Sequence, residues 1–363
     1  MTQKKKASPL EWVRQFLVSL LLGANLVTLL FLWICCATTW VNPLFHPRIA
    51  FVGLAFPAFL IANLAFIALW LIYKPRMLVV PILGMALCGS YILDYCPLSL
   101  RSSSDVPELT VLTWNTCNLS LCQDDSLAFA TDYLSHSEAD LIFLQEHQYG
   151  APKYHAMYDT LKARHFHITY HGSRTLVSRF PILNSDTLAV NTLLSNGIFR
   201  ADLQYQSDTL TVFCVHLESN KLSPDDKSEY GKVIHAPKRD KVKSEVGYLA
   251  HKIGTASGYR ANQVKALLQH IDSLPSGRSV LVCGDFNDTP ISYTYQTVNR
   301  RLDNAFRARG RGIGISYNEK FFPVRIDHIF YSSDWQCTEA CIDASITASD
   351  HYPVIAKLKK RQK

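Results

Sequence analysis

The chain has 363 residues and a formal net charge of +7, and 48% of its residues are hydrophobic. This length is too great for one small domain and suits one large domain with an additional segment. The charge does not indicate a polyanionic partner: residues 1–100 hold seven basic and two acidic residues, or +5, which leaves +2 for residues 101–363.

The first hundred residues contain three uncharged, apolar runs. Residues 15–39 and residues 49–73 are each longer than the roughly 20 residues that a helix needs to cross the hydrocarbon core of a membrane. Residues 77–93 form a shorter run that ends at Asp94. We therefore predict three transmembrane helices within an anchor of residues 1–96. A cleaved signal peptide is the alternative for the first run, but the run is too long and lacks a clear small-residue cleavage site.

The basic residues beside these runs predict the orientation of the anchor. Residues 4–14 hold four basic side chains, Lys74 and Arg76 separate the second run from the third, and Arg48 alone separates the first from the second. Basic flanks remain on the cytoplasmic side. The prediction is a multi-pass protein of the cell membrane with a cytoplasmic amino terminus and an extracytoplasmic part after the third helix.

A linker and one large domain are predicted after the anchor. Residues 97–107 are rich in serine and contain two prolines, which is typical of a linker. Residues 108–358 alternate between strand-like runs and helical patterns, which predicts an α/β layered sandwich. Strands are predicted at residues 108–115, 139–146, 167–171, 175–181, 199–205, 208–217, 279–286, 325–332 and 352–359. Helices are predicted at residues 127–136 and 259–274, and a short one with Thr289 as its cap and Pro290 in its first turn.

Residues 219–258 and the cysteines leave alternatives open. The segment 219–258 is polar and long for a connection. A solvated insertion is one interpretation, because its charges largely cancel, and a flap over a phosphate-bearing substrate is the other. No paired zinc-binding cysteine motif is present, whereas Cys117 with Cys122, or Cys337 with Cys341, would suit disulfides outside the cytoplasm.

Several predicted strands end in a polar side chain that can contact a metal ion or a phosphate. Asn115, Glu146, His216 and Asp285 stand at four such ends, and Asn287 follows two residues later. Strand ends on one rim of a sheet converge in space, so these residues can form one site. The structural alternatives are a strand-end turn at Asn115, a surface edge at Glu146, an ordinary strand histidine at His216 and an Asx-turn at Asp285.

Two later segments extend this set. Asp327 lies inside a predicted strand, where an unpaired carboxylate is costly to bury. Asp350 and His351 stand directly before the last strand. An imidazole beside a partly buried acid is held in one orientation and its cation is stabilised. Asp327 is therefore expected to have a partner.

The ordered motifs of this domain resemble those of the endonuclease/exonuclease/phosphatase superfamily, which includes pancreatic-type deoxyribonucleases, apurinic endonucleases, sphingomyelinases and inositol-polyphosphate phosphatases. The matching motifs are T-W-N at 113–115, L-Q-E at 144–146, H-L-E-S at 216–219, G-D-F-N at 284–287, R-I-D-H-I-F at 325–330 and S-D-H-Y-P-V at 349–354. The resemblance covers residues 108–358 and implies a catalytic domain with a four-layer α/β/β/α sandwich of the deoxyribonuclease-like kind.

The resemblance also implies a metal site and a set of catalytic residues. Glu146 would hold a divalent cation, with Asn115 and Asp350 nearby. Oxygen ligands without a thiolate suit Mg²⁺ or Mn²⁺. Asn115 would also contact the substrate.

The catalytic roles implied by the resemblance fall on five residues. Asp285 would orient and deprotonate the attacking water, and Asn287 would position the phosphate or the water. His216 and His351 would donate hydrogen bonds to phosphoryl oxygens, and Asp327 would hold His351 in its working tautomer.

These roles predict an anchored, metal-dependent phosphodiesterase that acts by in-line attack of water, with a nuclease-like substrate as the first expectation. A phospholipid or sphingomyelin-type phosphodiesterase is the second interpretation, and a catalytically silent membrane scaffold is the third. Phosphodiester substrate and lipid bilayer are the expected partners, and no protein partner is evident.

Overall fold

The computed structural model describes residues 8–99, 106–119, 124–193, 196–220, 239–319 and 322–361. Most of the predicted linker, Cys122 and the residues 221–238 on which a flap would depend lie outside these ranges. The linker, the first disulfide and the flap therefore stay predictions.

The amino-terminal segment folds into five helices: α1 (Pro9–Ala37), α2 (Ile49–Gly53), α3 (Phe56–Tyr73), α4 (Val79–Ala86) and α5 (Gly89–Tyr95). A capping box between Ser8 and Glu11 begins α1. The runs Pro9–Trp40 and Ile49–Tyr73 are long and apolar enough to cross a membrane. Buried Asn25 of α1 donates a hydrogen bond to Asn63 of α3, at 3.0 Å.

The third predicted transmembrane helix is not shown as one helix. The chain bends by 72° between Pro75–Ala86 and Gly89–Tyr95, so this part is a broken pair of short helices. The described residues thus contain two candidate membrane spans, or three if the bent pair counts as one.

The remainder of the chain builds two six-stranded sheets that face each other. The strands are β1 (Leu109–Asn115), β2 (Leu141–Gln145), β3 (His167–His171), β4 (Arg174–Ser178), β5 (Ile182–Thr187), β6 (Gly197–Tyr205), β7 (Asp208–His216), β8 (Ser279–Asp285), β9 (Asp303–Asn304), β10 (Asp327–Tyr331), β11 (Trp335–Ile342) and β12 (Val354–Lys360). The first sheet has the strand order β11-β12-β1-β2-β4-β3, and the second has the order β5-β6-β7-β8-β10-β9. Strands β1 and β2 pair in parallel, as do β7 and β8.

Three apolar cores define the layers of the sandwich. The central core joins the inner faces of the sheets and includes Val111, Phe143, Cys214 and Leu281. One outer core lies between the first sheet and helices α6 (Asp124–Ser135) and α7 (His155–Ala163), and the other lies between the second sheet and helices α8 (Arg239–Asp272) and α9 (Tyr293–Asn299). A short helix α10 (Ala305–Arg309) follows β9. The predicted α/β/β/α sandwich is confirmed.

Local differences from the sequence predictions have simple causes. All nine predicted strands are present, but β5, β9 and β11 were not predicted. Helix α8 begins at Arg239, inside the predicted insertion. The short helix α9 is capped by the side chain of Ser292, which accepts a hydrogen bond from the Tyr295 amide, and not by Thr289. A serine three residues before a free helical amide caps it more directly than Thr289 can.

The proposed disulfide between Cys337 and Cys341 is wrong, because both thiols are free. The two residues lie four positions apart on the extended strand β11. Four residues of strand span about 13 Å, and a disulfide requires Cα atoms within roughly 7 Å.

The amino-terminal helices pack directly on the sandwich through a buried carboxylate. Asp94 of α5 is 1% exposed. It accepts a hydrogen bond from Gln296 Nε2 at 2.8 Å, and its Oδ1 lies 2.9 Å from Arg307 Nε. Arg325 donates a hydrogen bond to the Asp94 carbonyl oxygen. This network fixes the position of the apolar helices relative to β10.

Candidate active site

The polar residues at four strand ends meet at one rim of the sandwich. Asn115 Nδ2 donates to Glu146 Oε1 at 3.1 Å and to Asp285 Oδ2 at 3.0 Å, so it joins the end of the first sheet to the end of the second. His216 Nε2 lies 3.5 Å from Glu146 Oε1 and 3.7 Å from Asp285 Oδ2. The parallel pairs β1–β2 and β7–β8 explain this meeting, because their carboxyl ends lie at the same edge.

The backbone around these strand ends is held in uncommon conformations. Glu146 has φ 47° and Asn287 has φ 50°, both in the left-handed region that non-glycine residues rarely adopt. Gly284 has φ 146°, and a Cβ atom there would lie 1.9 Å from the carbonyl oxygen of Val215. Glycine is therefore required in the strand beside β7. Residues kept in such conformations are concentrated at functional sites.

Asp285 accepts several hydrogen bonds deep in the site. Its Oδ1 accepts from the Asn287 amide at 2.7 Å, and its Oδ2 accepts from Asn287 Nδ2 at 3.2 Å as well as from Asn115. Burial, and after it the neighbouring carboxylate of Asp327, raise the pKa of Asp285 to about 7. A carboxylate of this kind can take up a proton near neutral pH.

His351 is paired with a buried acid, as its position before the last strand suggested. Its Nδ1 lies 2.8 Å from Asp327 Oδ2, which also accepts a hydrogen bond from Ser316 Oγ at 2.7 Å. Its Nε2 points toward Asp285 Oδ2, at 3.9 Å. Burial lowers the pKa of His351, but Asp327 and then Asp285 outweigh burial and raise it to about 10. The ring is therefore a cation at neutral pH.

His216, unlike His351, is uncharged at neutral pH. Burial, and after it the charges of Arg174 and His351, lower the pKa of His216 to about 3. Both of its ring nitrogens are buried and have no hydrogen-bond partner among the described residues. The sequence predictions did not include Arg174, a buried guanidinium at the start of β4. Nothing in its local sequence distinguishes it from a surface arginine at a turn.

A cavity of about 210 Å³ opens beside these groups and contains most of the sequence-predicted residues. Glu146, Asp285, Asn287, Asp350 and His351 line it. Asn115, His216 and Asp327 contact the lining residues from behind through the hydrogen bonds and close approaches described above.

The residues of this rim fit a hard divalent cation. Glu146 keeps 43% of its side-chain surface exposed beside the cavity, next to the unpartnered Nε2 of His216. Asp285, Asp327 and His351 each offer a ligand atom within 4.8 Å of the others. His351 already pairs with Asp327, so these two side chains are engaged with each other and are not open metal ligands. The carboxylates of Glu146 and Asp350 match the oxygen preference of Mg²⁺ and Mn²⁺. Asn115, the third predicted ligand, turns its Nδ2 toward Glu146 and Asp285, and its Oδ1 accepts a hydrogen bond from the Cys117 amide at 3.0 Å.

Two family models match the chain. A model described as "Endonuclease/Exonuclease/phosphatase family" matches residues 112–351, and a model described as a domain of unknown function matches residues 18–95. A search of the curated proteins found no sequence match to this chain.

Solved structures with a similar fold include several at low sequence identity. The human Nocturnin catalytic domain with bound sulfate is 16% identical, with a TM-score of 0.49, over 73% of this chain and 96% of that one. A humanized TDP2 from D. rerio is 17% identical, with a TM-score of 0.47, over 69% and 99% of the two chains. An endonuclease/exonuclease/phosphatase from Beutenbergia cavernae is 15% identical, with a TM-score of 0.49, over 70% and 72%.

Proposed function

Because the chain belongs to the endonuclease/exonuclease/phosphatase family, and members of this family hydrolyse phosphoesters, we propose that it hydrolyses a phosphodiester by in-line attack of water in the presence of a divalent cation. The single observation that carries this proposal is the junction at Asn115, whose Nδ2 holds Glu146 and Asp285 together across the two sheets. Glu146 is thereby available to hold a cation while Asp285 acts on water.

Asp285 is the proposed general base. Its raised pKa, about 7, lets it accept a proton from water at neutral pH. The Asn287 amide and side chain hold both of its oxygens, so the carboxylate keeps one orientation during the reaction. Asn287 is also in the cavity wall, where it can position the phosphate or the water.

The two histidines act on the phosphate in different ways. His351, kept cationic by Asp327, donates from Nε2 to a phosphoryl oxygen and stabilises the negative charge of the transition state. His216 is neutral and offers its unpartnered Nε2 at the junction of Glu146 and Asp285, where it can donate to a second phosphoryl oxygen. Asn115 holds Glu146 and Asp285 in place beside these contacts through its Nδ2.

Glu146 is the proposed principal ligand of Mg²⁺ or Mn²⁺, with Asn115 and Asp350 beside it. A bound divalent cation polarises a phosphoryl oxygen and neutralises developing charge. The half-exposed carboxylate of Glu146 at the cavity suits this role, since a buried ligand set would shut out the substrate.

We further propose that the two long apolar helices and the bent pair Pro75–Ala86 and Gly89–Tyr95, taken as a third crossing, anchor the protein in the cell membrane, with the amino terminus in the cytoplasm and the catalytic domain outside it. Their length and composition support the membrane location, and the distribution of basic residues supports the orientation. Protease added to sealed cells tests the orientation: cleavage of the catalytic domain without lysis is expected, and its full protection would contradict the proposed orientation.

Nucleic acid and phospholipid are the two substrate classes that the sequence leaves open, and a silent scaffold is the alternative without catalysis. The experiment incubates the full-length protein in detergent with bis(p-nitrophenyl) phosphate and Mg²⁺ or Mn²⁺, with and without EDTA. Turnover that requires the metal and is lost in Asp285→Asn is the expected result. A protein that binds the metal and turns over no phosphodiester would support the scaffold.

A further inference from the structure

The amino-terminal segment supplies part of the wall of the catalytic cavity. Ala50 of α2 and Leu54, which directly follows α2, line the same cavity as Glu146, Asp285 and His351. Both are half-buried. The candidate membrane segment therefore reaches the phosphate-handling groups themselves, although the two regions are far apart in sequence.

Contacts on several sides hold α2 in this place. A Cβ atom at Gly53 would lie 2.7 Å from the Ile291 carbonyl oxygen, so α2 approaches the catalytic domain as closely as a glycine allows. Ile291 is buried in one apolar cluster with residues of α1 and α3. Earlier in the chain than α2, Trp40 and Thr39 are also held, because Arg300 lies 3.7 Å from the ring centroid of Trp40 and donates to the Thr39 carbonyl oxygen. The wall is thus a fixed part of the fold.

The cavity is lined by both apolar and acidic side chains. Its apolar lining is Ala50, Leu54, Ile253, Phe322, Val324 and Ile326. Its acidic lining is Glu146, Asp285, Asp288, Glu319 and Asp350. A volume of about 210 Å³ accommodates a phosphate with its nearest substituents, because pockets that enclose a whole drug-sized ligand measure roughly 300–1,000 Å³. The rest of the substrate must extend beyond the cavity.

Acidic side chains outnumber basic ones among the described residues that line the cavity. Among its described lining residues, Arg260 is the single lysine or arginine. Its guanidinium is already engaged, with Nε 3.1 Å from Asp288 Oδ2 and Nη1 donating to the Glu218 carbonyl oxygen at 2.8 Å. Proteins that bind nucleic acid neutralise successive phosphates with lysine and arginine. This part of the site offers no such series.

The surface next to α2 is apolar and exposed. Trp40, Leu44 and Phe45, in the connection between α1 and α2, are 66%, 40% and 77% exposed. Aromatic side chains at the ends of membrane helices lie at the level of the lipid headgroups. One short segment, residues 40–54, thus carries both the exposed apolar side chains and two side chains of the cavity wall.

We propose that the substrate is a membrane phospholipid, whose phosphodiester enters the cavity while the glycerol or acyl portion next to it lies against Ala50 and Leu54. This rests on the proposed phosphodiesterase function. Water supplies the hydroxyl group that bonds to phosphorus and, by way of Asp285, the proton for the departing alcohol oxygen, while one ester P–O bond breaks. The products are a phosphomonoester and an alcohol, and no other reactant is needed.

The test compares three substrates with the full-length protein and Mg²⁺: vesicles of phosphatidylcholine, phosphatidylethanolamine, phosphatidylglycerol or sphingomyelin; glycerophosphocholine, which keeps the phosphodiester and lacks acyl chains; and supercoiled plasmid. Hydrolysis of at least one vesicle lipid, with kcat/KM well above that for glycerophosphocholine and for plasmid, is expected. Efficient plasmid cleavage without lipid hydrolysis overturns the substrate proposal and leaves the phosphodiesterase intact. Inactivity toward all three and toward bis(p-nitrophenyl) phosphate overturns both.

Variants of Ala50 and Leu54 test whether this part of the cavity wall contacts the lipid portion of the substrate. Leu54→Gln is expected to lower kcat/KM for the vesicle lipid about tenfold more than for glycerophosphocholine, since loss of an apolar contact costs about 1–3 kcal/mol. Ala50→Phe, which places a bulky side chain on the same wall, is the second variant. It is also expected to lower the ratio of kcat/KM for the vesicle lipid to kcat/KM for glycerophosphocholine. Leu183→Gln, at an exposed leucine of β5, is the matched control. An unchanged ratio in both wall variants contradicts the inference.

Discussion

Nδ1 of His351 lies 2.8 Å from Oδ2 of Asp327, and both side chains are buried. The ion pair keeps the ring cationic, with its pKa raised to about 10. Asp327→Asn removes the charge and is expected to lower kcat by about 10²–10⁴-fold. Ser316→Ala removes a neutral hydrogen bond to Asp327 and is expected to have a smaller effect. Equal kcat values for wild type and Asp327→Asn would contradict the role of this pair.

Asp285→Asn tests the proposal that Asp285 is the general base. The amide keeps the size of the side chain and cannot accept the proton of water, so kcat is expected to fall by about 10²–10⁴-fold with little change in KM. Turnover of bis(p-nitrophenyl) phosphate measures this. Asp186→Asn, on the exposed strand β5, is the control. A variant that keeps wild-type kcat would remove Asp285 from the mechanism.

Glu146→Gln tests the proposal that Glu146 is the principal metal ligand. Replacing the carboxylate with an amide weakens the binding of a hard cation, so the Mg²⁺ concentration for half-maximal rate is expected to rise about tenfold or more. Metal titrations of the initial rate measure the shift. Glu339→Gln, in an exposed ion pair with Lys357, is the matched control. The same Mg²⁺ requirement in both variants would place the metal elsewhere.

Buried histidines predict a loss of stability in acid. Burial and then the charge of Arg325 lower the pKa of His328 to about 3, whereas the unfolded chain binds that proton at about 6.5. Stability is therefore lost as the pH falls below about 6.5, at up to about 1.4 kcal/mol per pH unit for each such histidine. His328→Phe, among Phe286, Tyr295 and Phe330, should reduce the fall in melting temperature between neutral pH and pH about 4. An equal fall in melting temperature in His328→Phe and in the wild type over this pH range would contradict the low pKa of His328.

Asp94 connects the apolar helices to the catalytic domain, and its removal should loosen that connection. Asp94→Ala leaves Arg307 and Gln296 without their buried partner. Arg307 is 31% exposed and can regain water, so the main cost is the unsatisfied buried donor of Gln296, about 1–3 kcal/mol, and a drop in melting temperature in detergent is expected. Asp272→Ala breaks an exposed pair with Arg301 and should cost at most about 1 kcal/mol. Equal losses in the two variants would show that Asp94 has no special role.

Much of the fold could be predicted from local sequence, because buried strands are continuous apolar runs. The strand β5 escaped prediction since its sequence ILNSDT is largely polar, and it lies at the exposed edge of its sheet. The third apolar run was predicted as one helix on length and lack of charge. Its break near Leu87 and Cys88 depends on how the helices pack in the folded protein, and amino-acid composition does not predict such packing.

The candidate site could be predicted to the extent that its residues stand at strand ends. Asn115, Glu146, His216 and Asp285 meet because parallel strands share an edge, and this rule needs no tertiary detail. Arg174 and Ser316 were missed because only their burial next to the site distinguishes them. The contribution of Ala50 and Leu54 was hidden within an apolar run that satisfied the pattern of a membrane helix.

The central claim is that water attacks phosphorus at the junction of Glu146 and Asp285 when a divalent cation is present. Hydrolysis of bis(p-nitrophenyl) phosphate in ¹⁸O-labelled water with Mg²⁺ or Mn²⁺ tests it most directly, with EDTA as the control. The label is expected in the phosphomonoester and absent from the p-nitrophenol, and both products should disappear with EDTA. Label in the p-nitrophenol, or turnover that persists without metal, would contradict the mechanism.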